Sequence, residues 1–346
     1  MPDERRGLFR TIAHRLAGDR EELPIEGRLP SFDRATGWLN SEPLTPAGLR
    51  GRIVLVDFWT YTCVNWLRTL PYLRAWGTKY HDAGLTIVGV HTPEFGFERD
   101  LRNITAQARH LDVDYPIAID SDYGVWDEFA NHYWPAVYIA DADGRIRFHH
   151  FGEGEYARTE MVIQQLLVDA GGGARDFDED LVMVDPEGLE VAADWRTLRS
   201  PETYLGYGQS SGFLSEDSAL YDRAQAYPGG RRLPLNSWDL SGQWMQARHA
   251  AVLHEPGGRI SFNFHARDVN LVMGPVPSGS AVPFRVSLDG GSVDGANGTD
   301  VDAEGRGEVG DQNTYQLIRQ SGQVTDRVIE IEFLSAGVEA YCFTFG

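Results

Sequence analysis

The sequence contains few cysteines, fewer basic than acidic residues, and no long apolar run. Only Cys63 and Cys342 occur among 346 residues, which argues against the disulfide framework that many small exported domains need. We therefore expect both to be thiols at rest.

The 31 Lys and Arg against 51 Asp and Glu give a formal net charge of −20, and such an acidic surface repels nucleic acid and anionic membranes. Neither is an expected partner.

No segment approaches the roughly 20 apolar residues of a membrane span, and the first residues lack the apolar run of a signal peptide. We therefore expect a cytoplasmic protein. Within an N-terminal extension, residues 1–30, the apolar residues Leu8, Ile12 and Leu16 lie at helical spacing and predict a short amphipathic helix over residues 6–17. Packing against the following domain is the favoured interpretation, with a membrane-surface or partner helix as the alternative.

The chain is longer than one hydrophobic core usually organises, so we predict two domains. From residue 31 to residue 170, strand-like runs alternate with helical ones, as in "RIVLVDFW", "VNWLRTLPYLRAWGTKYH" and "LTIVGVHT". A hairpin over "AVYIADADGRIRFHHFG" follows. Alternation of this kind predicts a mostly parallel sheet covered by helices. Consecutive glycines and a run of acids then indicate a linker over residues 171–190.

Residues 191–346 contain short alternating runs, such as "GRISFNFHA" and "RVIEIEFLS", that are separated by turn residues. This pattern predicts an all-β sandwich. Cys342 lies in one such run, "EAYCFTF", and is expected to pack in the sheet. Trp238, Trp244 and Tyr315 are candidates for a sugar-binding surface, although a core or partner-docking role is favoured.

The segment "DVDAEGRGEVGD", residues 300–311, has acids at a spacing close to that of a calcium loop. Its flanks are strand-like and rich in glycine, so a solvated β-turn is favoured. Copper binding through Cys63 and His91 is a weak alternative because the chain offers one thiolate there. We predict no metal and no other cofactor.

Cys63 lies between a predicted buried strand and a predicted helix, where free helical N–H groups stabilise a thiolate. Asp57, inside that strand, is costly to bury in its ionised form, and the resulting rise in its pKa suits a proton acceptor. His91 and Glu94 follow the next strand. Because the carboxyl ends of parallel strands share one edge, we expect both near the thiol.

A second element, "HYWPAVYI", places Trp134 and Pro135 just before an apolar strand. The X-Pro bond there can be cis and lie against the thiol. The spacing of V-D-F-W-x-x-x-C, with a proline eight residues after the cysteine and W-P before a hairpin, resembles the thioredoxin superfamily.

Two segments are similar to the TlpA-like, redoxin branch of that superfamily, namely "WLNSEPLTPAGLRGRIVLVDFWTYTCVNWLRTLPYLRAW" and "VGVHTPEF". The chain as a whole resembles the soluble C-terminal portion of DipZ-type proteins, from about residue 30 to residue 346. The ending, from "PETYLGYG" to "GVEAYCFTFG", resembles a carbohydrate-binding-module-like jelly roll. The resemblance implies an α/β thioredoxin-like domain followed by an all-β sandwich, without the membrane-embedded half of full DipZ-type proteins.

By this resemblance Cys63 matches the attacking cysteine, Asp57 the buried acid and Pro135 the cis-proline. Position 66, normally the resolving cysteine, is tryptophan, so C-x-x-C becomes C-x-x-W. A mixed disulfide at Cys63 would then be resolved by an outside thiol, either a low-molecular-weight thiol or a partner protein. We predict a substrate groove formed by Trp59, Thr60, Tyr61, Trp66, His91, Glu94 and Trp134.

Two alternatives to monothiol exchange stay open. Cysteine is often a buried residue, so Cys63 can be a relic in a binding or scaffold protein, with Trp66 blocking access to its sulfur. A one-cysteine peroxidase is the other alternative, since Thr60 precedes Cys63 by three residues as in a T-x-x-C signature. The proline of that signature is replaced by Val56, which makes the match partial.

Overall fold

The computed structural model describes residues 22–171, 177–276 and 279–346. The chain divides into two compact units, Met1–Asp185 and Pro186–Gly346. The predicted helix over residues 6–17 lies outside the described residues. Among the described helices, none is both long enough and apolar enough to cross a membrane.

The described part of the first unit is an α/β structure built on one mixed sheet. Its strands are β1 Gly27–Arg28, β2 Gly37–Leu39, β3 Ile53–Trp59, β4 Leu85–His91, β5 Ile117–Ile119, β6 Ala136–Ala140 and β7 Arg145–Phe151. Its helices are α1 Val64–Tyr80, α2 Leu101–His110, α3 Gly124–Glu128 and α4 Tyr156–Ala170, with a short 3-10 helix at Gly96–Arg99. The predicted strand, helix and hairpin around residues 52–152 are therefore confirmed.

The strand order is β1-β7-β6-β3-β4-β5-β2. Among the described pairings, only β3 with β4 and β4 with β5 are parallel. The expectation of a mostly parallel sheet is therefore wrong. The hairpin β6–β7 adds antiparallel pairs on one side of β3, and the short strands β1 and β2 add antiparallel edges. Two- and three-residue strands carry no readable periodicity, so the sequence pattern did not reveal them.

The central strand β3 is buried along its whole length, which explains its nearly continuous apolar run. Successive side chains of a strand point to opposite faces. Val54, Val56 and Phe58 enter the core on one face, beside residues of α3. Asp57 and Trp59 therefore lie on the other face, the face that α1 covers, because Trp66 of α1 contacts both of them.

The second unit is all-β. Its described strands are β8 Thr203–Tyr204, β9 Ala224–Pro228, β10 Trp238–Gln246, β11 Ala251–Leu253, β12 Arg259–Phe264, β13 Asp268–Pro275, β14 Val282–Leu288, β15 Arg306–Val309, β16 Asn313–Arg319, β17 Arg327–Phe333 and β18 Val338–Phe345. They form one sheet in the order β15-β14-β17-β12-β10-β11-β18-β13-β16, with β8 paired to β18 and β9 to β10. Its apolar side chains enclose a single large core.

This architecture decides several of the expectations for the second unit. Cys342 is buried in β18, as expected for a sheet residue. Trp238 and Trp244 are fully buried and Tyr315 is nearly so, which confirms the favoured core role over a sugar-binding surface. Asp302 Oδ1 accepts hydrogen bonds from the backbone N–H groups of Glu304 and Arg306, which forms the predicted turn before β15. In the described residues, no group of three or more His, Cys, Asp or Glu could hold a metal ion.

Candidate active site

Cys63 is the N-cap residue of α1, at the end of the short link that leaves β3. Its backbone N–H donates to the carbonyl of Thr60 at 3.2 Å, and its carbonyl accepts from Leu67 N–H at 2.9 Å. The residue is partly exposed. The predicted strand-to-helix junction is confirmed, and it places Cys63 at the helix end where the N–H groups of the first turn have no partner within the helix.

Trp66, three residues after Cys63 along α1, forms a buried pair with Asp57. The indole Nε1 of Trp66 donates to Asp57 Oδ2 at 2.8 Å, and both side chains are wholly buried. The hydroxyl of Tyr115 lies nearby without a hydrogen bond of normal geometry to either carboxylate oxygen. Burial raises the pKa of Asp57 to about 7, against a smaller lowering by Trp66 and Tyr115. The carboxyl can therefore change its protonation state near neutral pH.

The Trp66 indole also stacks on Trp59, with ring centroids 4.2 Å apart and an interplanar angle of 23°. Room for this stack depends on Gly89, which lies opposite Asp57 in the β3–β4 register. A Cβ at Gly89 would lie 2.8 Å from Trp59 Nε1 and 2.9 Å from Tyr115 Cε2. Trp59 and Tyr115 thus occupy space that only glycine at position 89 leaves open.

His91, the last residue of β4, lies beside the link that leads to Cys63. Its Nε2 is 3.5 Å from Thr60 Oγ1, and its ring contacts those of Trp59 and Tyr61 at centroid distances of 4.8 and 5.8 Å. The ring is fully buried, and this burial lowers the pKa of His91 to about 3. The imidazole is accordingly neutral at physiological pH, and it packs within the site without carrying charge.

The Trp134-Pro135 bond is cis. Trp134 is half-buried, packs on Trp126 at 4.3 Å between ring centroids, and donates from Nε1 to the carbonyl of Thr92 at 3.1 Å. The N–H of Thr92 in turn donates to the carbonyl of Trp59 at 3.0 Å. These bonds join the segments that follow β3 and β4 to the segment that precedes β6 at one end of the sheet.

The predicted groove residues fall into two groups. Trp59, Thr60, Tyr61, Trp66 and His91 are fully buried in this structure, as is Pro135. Cys63, Glu94 and Trp134 keep partial exposure. A partner molecule can therefore reach the second group directly, whereas the first group lies beneath the surface and supports it.

Glu98 belongs to the same region and was not predicted from the sequence. It is fully buried, and its Oε1 accepts from Thr62 Oγ1 at 2.6 Å. Its Oε2 accepts from the backbone N–H groups of Glu94 and Phe95 at 2.7 and 2.8 Å. A glutamate in the first turn of a helix is a known capping signal and could have indicated the backbone contacts. Nothing in the sequence indicated the bond to Thr62.

A buried strand that contains an acid, a cysteine at the N-terminus of the helix that follows it, and a cis-proline just before the neighbouring strand are the features of a thioredoxin-like fold. The first unit therefore has a thioredoxin-like fold. In the second unit, residues 200–346 match the family described as the thioredoxin like C-terminal domain.

The chain is similar to the DipZ protein of Mycobacterium bovis, with 38% identity over 261 residues, which cover 73% of this chain and 36% of that protein. It thus spans about a third of the length of DipZ. The thiol-disulfide oxidoreductase YkuV of Bacillus subtilis is 28% identical over 147 residues, which cover 42% of this chain and 99% of YkuV. A solved thioredoxin-like protein in its oxidised form matches 42% of this chain and 97% of its own, at 30% identity and a TM-score of 0.38. The relatives include thiol-disulfide oxidoreductases.

Proposed function

We propose that this protein catalyses thiol-disulfide exchange with Cys63 as its single nucleophile and an external thiol as the resolving group. The observation that carries this proposal is the partly exposed Cys63 at the N-cap of α1, the helix whose Trp66 contacts the buried Asp57 carboxyl, whose pKa burial raises to about 7. Position 66 offers no sulfur, and the chain's other cysteine, Cys342, is buried in a strand of the second unit. A resolving thiol therefore has to come from outside.

The proposed first step begins with loss of the Cys63 proton, for which Asp57 is the acceptor. The thiolate attacks one sulfur of a substrate disulfide, so that a bond forms between Cys63 Sγ and that sulfur while the substrate S–S bond breaks. The second substrate sulfur leaves as a thiolate and takes up a proton. The product is a mixed disulfide on Cys63, shaped on one side by the segment that contains Pro135.

In the second step, the thiolate of an outside thiol attacks the substrate sulfur of the mixed disulfide. The bond to Cys63 breaks, Cys63 returns as a thiolate, and the substrate leaves bound to the external thiol. A second external thiol then reduces that disulfide, so the two electrons of the cycle come from outside thiols. The resolving group is a low-molecular-weight thiol or a protein thiol, and release of a glutathione-type adduct follows the same steps.

The test is reaction of the reduced protein with glutathione disulfide, followed by mass spectrometry of the peptide that contains Cys63. We expect a mixed disulfide at Cys63 that added glutathione removes, and no adduct in Cys63→Ser. Cys342→Ser is the matched control and should behave as wild type. A Cys63 thiol that stays inert to glutathione disulfide and to iodoacetamide between about pH 6 and 9 contradicts the proposal and favours a non-catalytic binding protein.

A further inference from the structure

The buried carboxylate of Glu98 lies where two loops of the site meet. One loop, residues 60–63, leads from β3 to Cys63. The other, residues 92–95, leads from β4 to the short 3-10 helix that contains Glu98. Thr62 of the first loop donates to Oε1 at 2.6 Å, and Glu94 and Phe95 of the second donate their backbone N–H groups to Oε2. A single side chain therefore joins both loops.

Burying a carboxylate is costly unless hydrogen bonds replace its lost water. Burial raises the pKa of Glu98, while the hydroxyls of Thr60 and Thr62 and the two backbone N–H groups oppose that rise. The backbone contacts alone could be explained as capping of the short helix. The bond to Thr62 cannot, because it joins residues 36 positions apart and holds the residue immediately before Cys63.

We infer that Glu98 is a positioning residue for Cys63 and acts through the Thr62 hydroxyl. The bond between Glu98 and Thr62 holds the backbone that ends at Cys63, and so holds the thiol toward the N–H groups of the first turn of α1. The Cys63 N–H, which donates to the carbonyl of Thr60, lies in the same held loop. Glu98 does not take part in bond making. This inference rests on the proposed function of Cys63 as the nucleophile.

The test compares Thr62→Val, Thr62→Ser and Glu98→Gln with wild type. The measured quantities are the second-order rate constants for alkylation of Cys63 by iodoacetamide and for its mixed-disulfide formation with glutathione disulfide. Valine has the shape of threonine without the donor, so we expect both rate constants to fall about tenfold in Thr62→Val. Thr62→Ser keeps the hydroxyl and should stay close to wild type.

Coupling between the two side chains gives a second readout. Glu98→Gln replaces one carboxylate oxygen by an NH2 group. The backbone N–H groups of Glu94 and Phe95 need the remaining oxygen, so the NH2 group faces Thr62 and the hydroxyl loses its acceptor. The reactions of Cys63 should then slow as in Thr62→Val. Since both changes remove the same contact, the double variant should react no more slowly than the slower single variant. Thr62→Val decides the question if Glu98→Gln does not fold, because it leaves the buried carboxylate and its backbone partners in place.

Glu160→Gln is the matched control. Glu160 is also a buried carboxylate, and it accepts from Tyr80 Oη at 2.6 Å and from the N–H of Val182, at the opposite end of α1 from Cys63. We expect it to lower the free energy of unfolding and to leave the Cys63 rate constants within about twofold of wild type.

The inference is overturned if Thr62→Val loses stability as Glu160→Gln does but keeps the wild-type alkylation rate. If wild type forms no mixed disulfide but Thr62→Val is alkylated more slowly than wild type, the proposed function is refuted and the positioning role is supported. The two failures are therefore distinguishable.

Discussion

The indole Nε1 of Trp66 donates a 2.8 Å hydrogen bond to Oδ2 of Asp57, which links position 66 of the C-x-x-W motif to the buried acid of β3. The tryptophan thus does more than remove a second sulfur. It supplies a donor to a carboxyl that burial would otherwise leave with little compensation, and it stacks on Trp59 at the same time.

The first prediction concerns Cys63. Cys63→Ser should abolish mixed-disulfide formation while the far-ultraviolet circular dichroism and the unfolding midpoint stay close to wild type, since a hydroxyl and a thiol are similar in size. Cys342→Ser should keep the activity. Residual disulfide exchange in Cys63→Ser would show that the nucleophile lies elsewhere.

The second prediction concerns stability and Asp57. Its pKa is raised from 3.8 to about 7 in the folded protein, so its favourable contribution is complete below about pH 3.8 and is lost as the pH rises through about 7. Asp57→Asn keeps an acceptor for Trp66 without the charge. The variant should gain free energy of unfolding relative to wild type as the pH rises from about 4 to 8, by at most about 4 kcal/mol. Urea unfolding at several pH values measures this gain.

The matched control for that experiment is Asp82→Asn, because the Asp82 side chain is fully exposed. The Asp57→Asn gain is measured against this variant, which removes one exposed carboxylate. An Asp57→Asn gain that is independent of pH would mean that the carboxyl does not titrate near neutrality.

The third prediction concerns the reaction at Cys63. If Asp57 accepts the thiol proton, the pH profile of Cys63 alkylation should contain a step near pH 7 from the Asp57 carboxyl, with faster reaction on the alkaline side. Asp57→Asn should lose that step and react more slowly at neutral pH. Superimposable profiles for the two proteins would remove Asp57 from the mechanism.

The fourth prediction restores the second cysteine. Trp66 is fully buried, so Trp66→Cys should cost roughly 3–5 kcal/mol of stability through the cavity that it leaves. Position 66 lies one helical turn after Cys63, and mild oxidation should therefore close a disulfide within the motif. Trp66→Ser leaves a similar cavity without the sulfur and serves as the control. A folded Trp66→Cys protein that keeps two free thiols at positions 63 and 66 would show that the local geometry has diverged from that of the redox family.

The fifth prediction tests the space around the paired indoles. Gly89→Ala places a methyl group about 2.8 Å from Trp59 Nε1 and should destabilise the fold by roughly 1–3 kcal/mol. Gly37→Ala is the control, since the nearest atom to its added methyl group would be 3.8 Å away. Equal effects of the two substitutions on the free energy of unfolding would mean that the stack adjusts without cost.

The amino-acid sequence by itself determined the local elements of this protein. The apolar run of β3, the helical spacing of α1, the hairpin β6–β7 and the alternating runs of the second unit each follow from patterns within a few neighbouring residues. The same local patterns predicted that Cys63 lies at the junction of a strand and a helix, and they indicated Pro135 as the candidate cis-proline.

Only the tertiary structure decided how these elements combine into a site. The sheet is mixed because the β6–β7 hairpin and two short edge strands join it in antiparallel pairs. Trp66, predicted as a groove residue, turns inward to Asp57. Glu98 was not among the predicted site residues, yet it is buried and accepts a hydrogen bond from Thr62. Each of these outcomes depends on residues that are far apart in the chain meeting across the packed sheet. Local periodicity does not indicate which polar groups, distant in the chain, will form hydrogen bonds with each other in the buried interior.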